Sequence, residues 1–166
     1  MNQFVQYDNI VYLLAAQDIA TTVTASAYLS LKGCHNAGLL VVLGAVTSAT
    51  VTDTEVLTVE AATAEGGAEA AIAFRYRLSG ALGANTWGAV ATADTTGLSL
   101  DPAADDNKLV WIEIDPDELA ANDYTVVRVK ATDNPDMTAC LVAVLGFTRP
   151  RYKQTTYASA TASASA

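Results

Sequence analysis

Apolar and polar positions alternate with a period of two through much of this chain. Residues 71–78 place Ile72, Phe74, Tyr76 and Leu78 on one side and Arg75 and Arg77 on the other, the pattern of a half-buried antiparallel strand. Residues 109–115 repeat it, with Val110, Ile112 and Ile114 on one face and Leu109, Trp111 and Glu113 opposite. Over 124–131, Val127 and Val129 point inward and Arg128 and Lys130 outward, and 56–60 forms another short strand. Ser79-Gly80 opens a turn region that reaches Gly83-Ala84-Asn85, and Trp87 is expected to start the next strand. Two runs, 39–45 and 141–147, are apolar on both faces. Such strands are covered on both sides, so they sit centrally in a sandwich or turn one face to another subunit. The only helical signal is 116–121: Asp115 suits the N-cap, Pro116 the first turn, and Asp117 and Glu118 the helix dipole. It is short enough to be a connector. Many short strands separated by Gly- and Asp-rich turns predict an all-β fold, an antiparallel β-sandwich of jelly-roll-like or immunoglobulin-like form.

The regular pattern begins near Thr21. Before it, residues 1–20 read as an N-terminal arm in which Phe4, Tyr7 and the run from Ile10 form a strand or a short amphipathic helix. The body spans 21–148. After it, residues 149–166 form an extension that opens with Arg149-Pro150-Arg151-Tyr152-Lys153 and ends in an Ala/Ser/Thr tail over 158–166. That tail is the only low-complexity segment, and no internal repeat is present.

Charge sharpens the contrast between body and extension. The chain of 166 residues has a net charge of -9, yet three of its nine basic residues lie in 149–153 and no acid follows Asp136. An acidic body argues against nucleic-acid binding, which needs a basic footprint larger than this knot. A basic, polar extension cannot be buried in its own core and is expected either to be a loose, soluble terminus or to lie on something else. Arg149, Arg151 and Lys153 suit acidic surface on a neighbouring subunit, and Tyr152 and Tyr157 add aromatic anchors. The apolar run 10–16 is too short to span a bilayer and has no basic residue before it, so neither a membrane partner nor a secretory signal is expected. Cys34 and Cys140 lie far apart in sequence and read as two buried, reduced thiols.

Candidate chemistry is sparse. Cys34-His35 pairs a thiol with the chain's single histidine; on a strand these neighbours point to opposite faces and cannot share a proton, whereas in a turn flanked by Gly33 and Gly38 they could. With one histidine and two cysteines, no zinc-ligand spacing exists, and no metal or other cofactor is expected. The acidic stretches 101–107 and 115–118 lack the spacing of a calcium loop and read as solvated turns. Trp87 and Trp111 read as core or interface residues rather than sugar platforms. No catalytic residue is assigned and the chain is not expected to be an enzyme.

The stretch Ala73-Phe74-Arg75-Tyr76-Arg77 with Ser79-Gly80, followed by Thr86-Trp87-Gly88-Ala89-Val90, resembles small structural proteins of tailed bacteriophages. The run 39–44 before it and Arg149-Pro150-Arg151-Tyr152 after the last strand are also similar. The resemblance is to capsid decoration, or cement, proteins and covers roughly residues 20–153. It implies a virion protein on the capsid exterior, made in the cytoplasm of a bacterial host. Its partners would be the major capsid protein and itself, commonly as a homotrimer. On that reading the contact residues are Phe4, Tyr7, Tyr76, Trp87, Arg149, Arg151, Tyr152, Lys153 and Tyr157. Three rivals stand beside it: a tail or neck component of the same particle, a carbohydrate-binding or adhesin module, and an esterase or peptidase built on Cys34-His35.

Overall fold

The computed structural model describes residues 9–20, 22–48, 54–102, 104–132 and 136–150. Within them the chain runs β1 (Asn9–Asp18), β2 (Thr24–Ala25), β3 (Leu29–Ser30), β4 (Cys34–Ser48), β5 (Glu55–Ala62), β6 (Glu69–Ile72) and β7 (Phe74–Leu78). It continues with β8 (Ala91–Ala93), β9 (Leu98–Leu100), β10 (Leu109–Ile114), the helix α1 (Pro116–Ala120), β11 (Val126–Thr132) and β12 (Met137–Pro150). Every pairing is antiparallel. The first sheet has the order β1-β12-β4-β10-β7-β8, and the second has β2-β11-β5-β6, with β3 on β11 and β9 on β5.

One continuous core holds the two sheets together as a β-sandwich. The first sheet contributes Val11, Leu13, Leu39, Val41, Leu43, Val110, Ile112, Val142 and Val144, and the second Leu57, Val59, Ala61, Leu98, Leu100, Val127 and Val129. Removal of these side chains from water is the main drive for the fold. The short strand expected over 56–60 lies within β5, and the alternations of 109–115 and 124–131 hold in β10 and β11. The runs 39–45 and 141–147 lie within β4 and β12, which pair with each other as interior strands. The connector helix also forms as expected. The Asp115 carboxylate accepts from the backbone N–H of Asp117 at 3.0 Å and of Glu118 at 3.4 Å, and Pro116 occupies the first turn. Among the described residues no helix is long and apolar enough to cross a membrane.

The structure moves four expected boundaries. From Asn9 on, the expected N-terminal arm is the edge strand β1, laid along β12 with Val11 and Leu13 in the core. The last strand does not stop at 148: Arg149 pairs with Asn36 and Pro150 with Cys34. The single strand expected over 71–78 is two. Ile72 pairs with Val59 in the second sheet, Ala73 is unpaired, and Phe74 pairs with Ala93 in the first. The chain crosses there from one sheet to the other. Trp87 starts no strand; it makes a lone bridge to Ser79, and pairing resumes at Ala91.

Candidate functional site

Strand register places a broad apolar surface on the outward face of the first sheet. Tyr12 pairs with Leu145, Leu145 with Leu40, Leu40 with Trp111 and Trp111 with Arg77, one row across five strands. Paired residues share a face, so this row points away from the core whose side chains lie between them. The row beside it runs Ile10, Phe147, Gly38, Glu113 and Arg75. On its other side Ala143, Val42 and Leu109 follow. Ser79 continues that row through hydrogen bonds with Leu109 in both directions, and Trp87 bridges Ser79. At the β1 edge Ile10 and Tyr12 are exposed, and further in Leu40, Trp111, Leu145 and Phe147 are half-buried.

Close packing shapes this face. The Trp111 ring lies over Gly38, where a Cβ would come within 2.6 Å of it, and meets the Phe147 ring edge-on with centroids 5.3 Å apart. Only glycine lets the indole settle that low on β4. A notch of about 210 Å³ results, lined by Asn36, Ala37, Gly38, Trp111, Phe147, Thr148 and Arg149. The charged groups at the margin are few: Arg77, and Arg75 standing 3.7 Å from Glu113.

Seven large apolar side chains are exposed among the described residues. Ile10, Tyr12 and Leu141 lie on this face, Leu82, Trp87 and Val90 lie in the loop 79–90 that extends from its β7 side, and only Val23 lies elsewhere. Monomeric proteins seldom gather so much exposed apolar surface in one region unless it meets a partner.

The outward face of the second sheet is built on charge. Glu60 accepts from Arg128 Nε at 2.9 Å and Nη2 at 2.8 Å and from Lys130 Nζ at 2.9 Å. Arg128 Nη2 also reaches Glu69 at 2.8 Å, its guanidinium lies 5.0 Å above the Tyr28 ring, and the Tyr28 hydroxyl donates to Glu69. Burial pushes the Glu60 carboxyl up, but the hydrogen bonds and charges of Lys130 and Arg128 outweigh it and hold the group below its ordinary value. Burial and the Glu69 contact push the Tyr28 hydroxyl up.

The expected site residues divide between these places. Trp87 stands at the margin of the apolar face, 45% exposed. Arg149 projects from β12 beside the notch. Tyr76 turns the other way, packed against the core beside Phe74 at a ring-centroid distance of 6.1 Å. Phe4, Tyr7, Arg151, Tyr152, Lys153 and Tyr157 lie outside the described residues. The residues that dominate the face, Tyr12, Leu40, Trp111, Leu145 and Phe147, were not singled out as contacts. The double-sided apolar character of 39–45 and 141–147 was the signal for Leu40, Leu145 and Phe147.

The chemical candidates take structural places. Cys34 is buried and His35 exposed at the first two positions of β4. Cys140 is buried and unbridged; burial, then the charges of Glu55 and Asp18, pushes its thiol up to about 12. In the turn after β9, Asp105 accepts from the Asp101 backbone at 2.9 Å and pairs with Lys108 at 3.3 Å, while Asp106 accepts from the Val46 backbone at 3.0 Å. These carboxylates hold backbone in place. Among the described residues no three His, Cys, Asp or Glu side chains gather as a metal-binding group. A groove of about 560 Å³ opens between β7, β10 and α1, with Arg75, Glu113, Asp115, Glu118, Asn122 and Tyr124 along it. No family model matches the chain, no curated protein matches it, and no solved structure matches it.

Proposed function

We propose that this chain is a non-enzymatic structural protein of a tailed-phage particle that binds the outside of the capsid shell as a decoration protein. The observation that carries the docking part is the outward apolar face of the first sheet, from Tyr12 across Leu145 and Leu40 to Trp111. A protein that works by coating a surface needs a broad, stiff contact face, and many modest contacts repeated over a lattice supply the binding. The capsid part rests on the resemblance described above. The segments that carry it, 39–44 in β4, 73–80 along β7 and 86–90 in its loop, with Arg149-Pro150 on β12, border this face. The extension from Arg151 on, with Arg151, Tyr152, Lys153 and Tyr157, acts as a second contact. Homotrimeric assembly belongs to the same proposal.

Quantitative mass spectrometry of gradient-purified particles tests it. A ratio to the major capsid protein of one to one, or a fixed simple fraction, supports a shell-covering role. A handful of copies moves the chain to tail or neck, and absence overturns the virion reading. Deleting residues 151–166, beyond the end of β12, is expected to weaken particle binding and leave the thermal unfolding of the body unchanged. A carbohydrate-binding module is the second reading, favoured by the groove that lines Arg75, Glu118, Asn122 and Tyr124. It requires a sugar-dependent change in tryptophan fluorescence or in the resonances of groove residues.

A further inference from the structure

We infer that the groove between β7, β10 and α1 is a docking site for this chain's own C-terminal extension, residues 151–157, with Arg151 and Lys153 at its acidic rim and Tyr152 and Tyr157 on its apolar floor. The body then carries its basic segment folded back on itself, and a partner must compete for it. The inference rests on the reading of the extension as a contact element and names what holds it in the free chain.

The groove, of about 560 Å³, has two kinds of lining. Buried Phe74, Ile114 and Leu119 form its floor, with half-buried Tyr124 beside them. Glu113, Asp115 and Glu118 stand against the single guanidinium of Arg75, three negative charges to one positive among its lining side chains. The Asp115 carboxylate is spent on the helix N-cap, and Arg75 stands 3.7 Å from Glu113. Glu118 is exposed and forms no ion pair among the described residues. A basic segment with aromatic side chains matches both linings: its cations meet carboxylates and its rings cover apolar surface.

Topology delivers such a segment to the right place. β12 and β10 run in the same direction with β4 between them, and both finish at the end of the sheet where the groove opens. Pro150 pairs with Cys34 and Ile114 with Ala37, so two strand spacings and three residues separate them, ~14 Å. From Pro150, three extended residues carry the backbone ~10 Å and seven carry it ~24 Å. That brings Lys153 within side-chain reach of the groove and takes Tyr157 across it. Two terminal segments leave the body at this end, 1–8 and 151–166, while 49–53 and 133–135 join strands at the opposite end. Charge decides between the two. Residues 1–8 hold Asp8 and no basic side chain, whereas 151–166 hold Arg151 and Lys153 and no acidic one. A segment tethered this close meets the groove at an effective concentration of about a millimolar, so a weak site suffices. Exposed ion pairs add little to folding, so the body keeps its unfolding midpoint whether or not the extension is docked.

The test uses the full chain with a nitroxide on Ser159→Cys; Cys34 and Cys140 are buried, and wild type treated alike serves as control. In dilute, isotope-labelled protein the nitroxide is expected to broaden the backbone resonances of Arg75, Glu113, Glu118 and Asn122 selectively, and molar salt to relieve the broadening. Glu118→Lys, at an exposed position, is expected to reduce it about two- to fivefold, and Arg151→Glu with Lys153→Glu to abolish it. A mixture of nitroxide-bearing chains without isotope and isotope-labelled chains without nitroxide is expected to show none. Even broadening over the whole surface, a pattern centred elsewhere, persistence after charge reversal, or equal broadening in the mixture would overturn the inference. Co-sedimentation with capsid shells reads the function separately. Groove contact in a chain that ignores shells removes the capsid reading alone, and shell binding without groove contact removes the docking alone.

Discussion

The two outward faces of the sandwich solve the same problem in opposite ways. Each sheet must present a second face to its surroundings. The second sheet covers that face with Glu60, Arg128, Lys130 and Glu69, a network whose members satisfy one another within the chain. The first turns outward an apolar row, with Tyr12 exposed and Leu40, Trp111, Leu145 and Phe147 half-buried. The charged face pairs its own groups; the apolar one leaves large side chains exposed. A half-buried ionic network costs desolvation and returns it only if every member stays paired. An apolar face carries no such internal condition, so its loss should leave the isolated chain almost untouched.

The largest expected effect is on the charged side. Arg128→Met leaves Glu60, which is 8% exposed, with Lys130 alone, and should destabilise the chain by about 3 kcal/mol in urea unfolding. Gly38→Ala comes next: the added methyl meets the Trp111 ring, for about 1–2 kcal/mol, with a blunted notch as a second consequence. Acid gives a smaller loss. The Glu60 carboxyl is held below its unfolded value, so its contribution is fully present above the unfolded value of about 4.3 and disappears as pH falls through the folded value. Stability of wild type should therefore decline on acidification below about pH 4, and Arg128→Met should show less of that decline. Smallest of all, Tyr12→Ser and Leu141→Ser should change unfolding free energy by no more than about 0.5 kcal/mol while reducing self-association or particle binding. If these outer-face changes unfold the chain as readily as Arg128→Met does, the contrast between the faces is wrong.

Much of the fold was legible because burial on one side imposes a period of two, as in β10 and β11. The corner at Ala73 was not, for an instructive reason. Both sheets turn their inner faces to one core, so the in–out order of Ile72, Phe74 and Tyr76 continues while the hydrogen-bond partners change from Val59 to Ala93. Periodicity records which way a side chain faces and is blind to which strand lies beside it. The start of β1 was ambiguous because Ile10, Val11, Tyr12, Leu13 and Leu14 are apolar on both faces, leaving no period to read. The apolar outer face was half legible: the runs 39–45 and 141–147 announced two covered faces, but adding Trp111 and Tyr12 to them required the register. Arg128 and Lys130 were correctly turned outward, whereas Glu60, 68 and 70 residues away, is found only by pairing β11 with β5.

The pairing of Asn9 with Thr148 has a mechanical consequence. The described chain enters and leaves at the same end of two adjacent antiparallel strands. A force pulling those ends apart would load one hydrogen bond of the β1–β12 ladder at a time and peel the molecule open like a zipper. A force borne by the broad face instead spreads over five strands at once. Attachment through the face would therefore resist load better than attachment through the two strand ends.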